Sequence, residues 1–249
     1  MSDTPANAPS LEEDAKVTSL EEPAPSEIPG EVPSPSRNVP EYLSSARHSR
    51  RVALVGIYAA LILALDYIPR PPNVEFMTCL LFVAGYCFGT RVGGFIAVVV
   101  SAIFSYANPL GPSQPTLFAF QVAFYVGVAL GGSLFAWIRQ RCPFVIGARG
   151  SAALGAFGFA ITLFFDIGST FAFGLPVTNW NWMAVWPIWF SGIAFTIIHV
   201  VSNAIIFAFL LPVVANAILS QYGSLFAETA REPVQNHATR DNMTIVGTP

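Results

Sequence analysis

"NVEFMTCLLFVAGYCFGTRVG", residues 73–93, decides how the chain folds. A carboxylate, Glu75, stands at the head of a run that stays almost wholly apolar from Phe76 to Phe88. In a soluble domain that run is a core helix. In a bilayer it is part of a span, and a carboxylate beside it is costly unless it has a purpose. Composition separates the two cases. The chain has 249 residues, of which 53% are hydrophobic and 11% charged, with a mean hydropathy of +0.56. Soluble domains carry about 25% charged residues, so the sequence predicts an all-α integral membrane protein. Between residues 52 and 220 the acids are Asp66, Glu75 and Asp166, and the bases Arg70, Arg91, Arg139, Arg141 and Arg149. Each of these eight is expected at an interface or at a site with a function.

The flanks read differently. Residues 1–46 hold eight prolines, nine of the fifteen acids and hardly any large apolar side chain. Such a segment buries too little surface to offset its ordering entropy, which predicts a disordered acidic tail. It lacks the basic start and short apolar core of a secretory signal. A polar C-terminal tail is expected over 221–249, leaving a membrane domain at 50–215. Cys79, Cys87 and Cys142 form no CxxC pair and give no disulfide framework.

A membrane-crossing helix needs about 20 residues. Hydropathy gives six candidates, at 51–68, 74–90, 92–107, 116–138, 149–173 and 184–214, separated by "PRPPN", "GTRVGG", "NPLGPSQP", "RQRCPF" and "GLPVTNWNW". The second and third are short, and the sixth is long enough to tilt. Arg47, Arg50 and Arg51 precede helix 1, Arg91 follows helix 2, and Arg139, Arg141 and Arg149 follow helix 4. Arg70 alone falls across the membrane, so eleven of the twelve bases share one side. The positive-inside rule then places both termini in the cytoplasm.

With that topology all three acids of the apolar body lie in its outer half. Asp66 closes helix 1, Glu75 opens helix 2, and Asp166 lies about 10 Å below the outer end of helix 5. Asn73, Asn108, Gln114, Gln121, Asn179 and Asn181 gather on the same side. Ionisable groups inside a membrane face a bundle interior or a wet cavity, so a cup opening outward is expected. Glu75 suits either a helix cap at the positive end of the macrodipole or a ligand contact. Asp66 sits at the unfavourable end of its helix and needs a partner, either Arg70 or a ligand. Asp166, between "TLFF" and "IGST", has no such structural explanation and is the strongest pocket residue.

Gln121 and Tyr125, one turn apart, share a face of helix 4. "NWNWMAVWPIW" brings Trp180, Trp182, Trp186 and Trp189 to the outer interface, as an aromatic belt or, for Trp180 and Trp186, as a stacking lid. His199 and Asn203, at i and i+4 on helix 6, either hydrogen-bond between helices or line the cup. Three acids and four tryptophans suit a polar ring compound, and an amine would pair with Asp166 or Glu75.

Several chemistries lack their residues. No GxxxxGK[ST] loop is present to cradle phosphates. No HExxH or paired Cys/His spacing points to a metal. Ser191 and His199 lie eight residues apart on one helix, about 12 Å, too far for a nucleophile and its base. Neither an enzyme nor a bound cofactor or metal is expected. Helix 1, "GIYAALILALDYIP", carries Gly56, Ala60 and Ala64 at spacings of four, a ridge that lets another helix approach closely. That ridge serves internal packing or a second membrane protein.

Taken together, "NVEFMTCLLFVAGYCFGTRVGGFIAVVVSAIFSYANPLGP" (73–112), "FQVAFYVGVALGGSLF" (120–135) and "AALILA" (59–64) resemble the substrate-binding S components of energy-coupling factor (ECF) transporters. The resemblance covers about residues 50–215 and leaves both tails outside. It implies a six-helix protein of a prokaryotic cytoplasmic membrane. Such a protein captures a vitamin or related micronutrient from outside, in a pocket made by the outer halves of its helices. It also implies assembly with a transmembrane T component and two cytoplasmic ATPases, and no nucleic-acid partner. Docking to the T component would fall on Ala60 and Ala64, extended by Gly56. The competing reading is a stand-alone secondary transporter coupled to protons through Asp166 or Glu75.

Overall fold

A computed structural model describes residues 41–69, 71–108, 111–144 and 147–226, with side chains from residue 46 onward. Arg70, most of the expected acidic tail and the chain beyond Phe226 lie outside the described residues. The elements are α1 (Glu41–Tyr67), α2 (Met77–Phe88), α3 (Thr90–Tyr106), α4 (Pro115–Ile138), α5 (Ala148–Val177), α6 (Trp182–Ser191) and α7 (Ile193–Ile205). The last of these runs through a π turn (Ile206–Leu210) into α8 (Leu211–Phe226). No strand occurs among the described residues. Ala46–Tyr67, Pro115–Ile138, Ala148–Val177 and Ile193–Phe226 are each long and apolar enough to cross a membrane.

α2 and α3, at 12 and 17 residues, are shorter. α2 spans about 18 Å, well under the roughly 30 Å of a hydrocarbon core. It does not meet lipid, because every one of its residues is buried. α1, α3, α4 and α8 enclose it. The apolar run after Glu75 is therefore the axis of the bundle, and its hydrophobicity on all sides is what that position requires.

Glycines set the closeness of this packing. A Cβ on Gly85 would collide with the Ala129 carbonyl, and one on Gly132 with the Phe82 carbonyl. The Ser133 hydroxyl donates to the Gly85 carbonyl at 3.1 Å across the same contact. Gly89, at φ 84°, turns the chain from α2 into α3 in a region that favours glycine.

The bundle has two unlike ends. At the acidic end the Tyr67 hydroxyl donates to the Ala107 carbonyl (3.0 Å), joining the ends of α1 and α3. At the arginine end Asn216 clamps Phe144, accepting its N–H (2.7 Å) and donating to its carbonyl (2.9 Å). The Tyr86 hydroxyl donates to the Cys142 carbonyl (2.6 Å). Arg141 donates to the Phe226 carbonyl (3.3 Å). Arg139 stacks over Phe144 at 4.8 Å. These contacts fasten the α4–α5 connection to α2 and α8.

Two boundaries differ from the sequence reading. α1 begins at Glu41, ten residues before the expected span at 51. The sixth span, expected at 184–214, begins instead at Ile193 and reaches Phe226. Its first part is the separate helix α6, stopped at Gly192 and started by Asn181, whose side-chain oxygen accepts the Met183 N–H at 3.1 Å. The π turn has a local cause. Pro212 has no N–H to give to the carbonyl four residues back and crowds it, so the helix widens just before it.

Gly85→Ala is expected to cost about 1–3 kcal/mol of stability, because the new methyl meets backbone that cannot turn aside. Gly56→Ala, where a Cβ meets nothing within 4 Å, is expected to leave stability unchanged. Thermal unfolding of the two variants in detergent checks the pair.

Candidate functional site

The first turn of a helix exposes N–H groups that have no partner within it. Two carboxylates meet those of α2. Glu75 Oε2 accepts the Thr78 N–H at 3.0 Å, and Asp66 Oδ1 accepts the Phe76 N–H at 3.3 Å. Negative charge at a helix N-terminus is favoured by the macrodipole. Glu75 thus acts as a cap, but with one oxygen only. Its Oε1 turns to α7, where it accepts from Asn203 Nδ2 at 3.0 Å and lies 3.6 Å from His199 Nε2. The other ring nitrogen, His199 Nδ1, is 2.7 Å from Asp166 Oδ1 on α5.

One imidazole therefore joins three segments that are distant in sequence. Asp166 is 8% exposed, His199 6% and Asn203 0%. Phe165 stands edge-on to the imidazole, with ring centroids 5.9 Å apart. A carboxylate only accepts, so a ring flanked by two of them is best satisfied with both nitrogens protonated. Even then the trio keeps one net negative charge.

Gly158 sets the α5–α7 spacing. A Cβ there would stand 2.7 Å from the Phe207 ring and 2.9 Å from the Asn203 carbonyl. Thr162 and Asp166 follow at one-turn intervals on the same face of α5, opposite Asn203 and His199. Within this seam Asp166 Oδ2, Thr162 Oγ1, Asn203 Oδ1 and His199 Nε2 are buried without a hydrogen-bond partner, the last of them facing Glu75 Oε1 at 3.6 Å.

The sequence-predicted residues divide into three groups. Asp66, Glu75, Asp166 and His199 come together at the acidic end. Tyr125, 4% exposed, lies within electrostatic range of Asp66, Glu75 and Asp166. Gln121 belongs to a separate knot, where its Oε1 accepts from Ser105 (2.8 Å) and Ser113 (3.0 Å). Asn108 lies past α3, its carbonyl taking the Gly111 N–H at 2.9 Å.

The tryptophans stand apart from the bridge. Trp180 is 68% exposed. Trp186 packs edge-on against Phe171 (5.2 Å) and Trp189 (6.2 Å). Gly56, Ala60 and Ala64 all lie exposed on α1, while Tyr58, Ile62 and Asp66 face inward. The small-residue ridge is not used for packing within the chain. Thr162 was not foreseen, although its place one turn before Asp166 in an apolar helix was a readable signal.

His199→Leu is expected to destabilise the protein by about 3–5 kcal/mol, because it leaves the buried Asp166 carboxylate without its cation while Glu75 keeps Thr78 and Asn203. Asp166→Leu added to it should recover part of that loss. Unfolding of the single and double variants in detergent measures both.

The family described as ECF transporter, substrate-specific component, matches residues 50–219. No curated protein and no solved structure matches the chain. The family match spans the whole described bundle except the start of α1 and the end of α8. With four helices able to cross a membrane, the chain is a multi-pass membrane protein and belongs to the substrate-specific components of ECF transporters.

Proposed function

We propose that this protein is the substrate-capturing subunit of an ECF importer, taking a small polar micronutrient, vitamin-like in size, from outside the cell. The observation that carries the reading is the buried Asp166–His199–Glu75 bridge with Asn203 beside it. Ionisable groups at such depth in membrane proteins mark substrate or ion sites. α2 and α3 complete six passes, the arginine end lies in the cytoplasm with both termini, and the acidic end opens outward. That orientation rests on the positive-inside distribution of arginines.

The energy comes from partners. The chain carries no phosphate-cradling loop, and family membership supports assembly with a T component and two ATPases. The exposed Gly56, Ala60 and Ala64 give the T component a face of close approach. The protein binds and delivers; it catalyses no reaction and needs no cofactor.

A second reading, a proton-coupled secondary transporter, is favoured by one observation: the bridge is a chain of three titratable groups from three segments, the head of α2, α5 and α7. Uptake by proteoliposomes containing this chain alone, driven by a proton gradient, would decide for it.

Mass spectrometry of the small molecules released on denaturing the purified protein tests the capture reading. A stoichiometric vitamin-like compound is expected. An empty protein that binds no member of a vitamin panel contradicts it. Asp166→Asn should weaken binding by more than about tenfold, equivalent to roughly 1.4 kcal/mol, with the fold retained. Ala60→Trp should abolish uptake in cells holding the whole transporter while binding by the isolated protein is kept. Persistent uptake would remove α1 as the docking face.

A further inference from the structure

We infer that the α5–α7 seam seats the hydrogen-bond-donating, positively charged end of the ligand: an ammonium, an amidinium or a protonated amino-heterocycle. The inference rests on the capture reading above and names the ligand class for that same site.

Three of the four unsatisfied atoms in the seam carry it; the fourth, His199 Nε2, already faces a carboxylate, Glu75 Oε1, at 3.6 Å. Asp166 gives Oδ1 to His199 and leaves Oδ2 without a partner. Asn203 gives its Nδ2 to Glu75 Oε1. An ionised carboxylate has no proton to offer, so this contact fixes the amide's orientation and leaves Oδ1, an acceptor, facing away from Glu75. That Oδ1 has no partner, and neither does Thr162 Oγ1. Two of the three atoms only accept, and the third accepts or donates. All three belong to residues at least nine-tenths buried.

Charge points the same way. The Asp166–His199–Glu75 trio keeps one net negative charge with its ring fully protonated. Among the described residues the arginines are Arg47, Arg50 and Arg51 in the first three turns of α1 and Arg91, Arg139, Arg141 and Arg149 at the end of the bundle opposite the bridge. A ligand carboxylate entering the seam would meet acceptors and negative charge. A cationic donor would satisfy both the unmet acceptors and the surplus charge.

Burial makes the requirement strict. The three atoms are out of contact with solvent, so the group that reaches them sheds its water on binding. A desolvated polar group is tolerated only with a matched partner, and charge-assisted hydrogen bonds are the strong ones.

Calorimetric titration of the detergent-purified full chain tests the ligand class. Thiamine and pyridoxamine serve as cationic donor probes; nicotinate, biotin and pantothenate serve as anionic ones, and riboflavin as a neutral one. A cationic probe is expected to bind, with affinity falling about tenfold in Asn203→Leu and about threefold in Thr162→Val, the loss of one charge-assisted or one ordinary hydrogen bond. Thr162→Val keeps the side-chain shape, so its result stands even where Asn203→Leu fails to fold. Binding of an anionic or neutral probe that Asp166→Asn leaves unweakened would overturn the inference while preserving the capture reading. So would a cationic probe whose affinity ignores Thr162→Val and Asp166→Asn. If none of the six binds the folded protein, the capture reading fails and the inference with it.

Discussion

An imidazole held between a buried carboxylate, Asp166, and a half-buried one, Glu75, is the contact on which the acidic end of this protein depends. His199 meets Asp166 through one nitrogen and faces Glu75 through the other. Glu75 in turn caps α2 with its second oxygen. The central helix, α5 and α7 are thus fixed by a single relay of charge. A buried ionic group left without its partner is strongly destabilising, whereas the intact set is often no more favourable than apolar packing of the same volume. Such a set is therefore a costly way to hold helices together.

The rest of the bundle makes that site rigid. α2 is too short to span a bilayer, yet it is wholly sheathed. Its contact with α4 is so close that two glycines sit directly against carbonyls. At the arginine end the Asn216 clamp and the Tyr86 hydroxyl hold the α4–α5 connection in place. The π turn before Pro212 begins seven residues, about two helical turns, after His199, and Phe207 within it packs against Gly158. Gly56, Ala60 and Ala64 stay exposed along α1.

Much of this was legible in the residues. Asp166 stood out because neither a cap nor an interface explains an acid in the middle of an apolar helix. Glu75 was open between cap and ligand contact; one of its oxygens caps α2 and the other takes Asn203 beside His199, a tertiary pairing that spacing does not carry. His199 and Asn203 shared a face by spacing alone, but their facing Asp166 and Glu75 is a tertiary fact that no local pattern carries. The sixth helix was drawn too early because hydropathy passes smoothly over Gly192, where the backbone breaks. Thr162 escaped notice because threonine is nearly neutral on a hydropathy scale and common in membrane helices. Trp180 was open between belt and lid. Asn179 and Trp180 both adopt positive φ, 51° and 62°, and that turn, which composition does not reveal, sets the direction of the indole.

The most direct measurement is a ligand-bound structure of the protein at a resolution that shows individual side chains. A site centred on the bridge predicts ligand donor atoms about 3 Å from Asp166 Oδ2 and Asn203 Oδ1, with His199 still between its two carboxylates. Ligand bound elsewhere, for instance against the Gln121 knot, with Asp166 and Asn203 untouched, would contradict it.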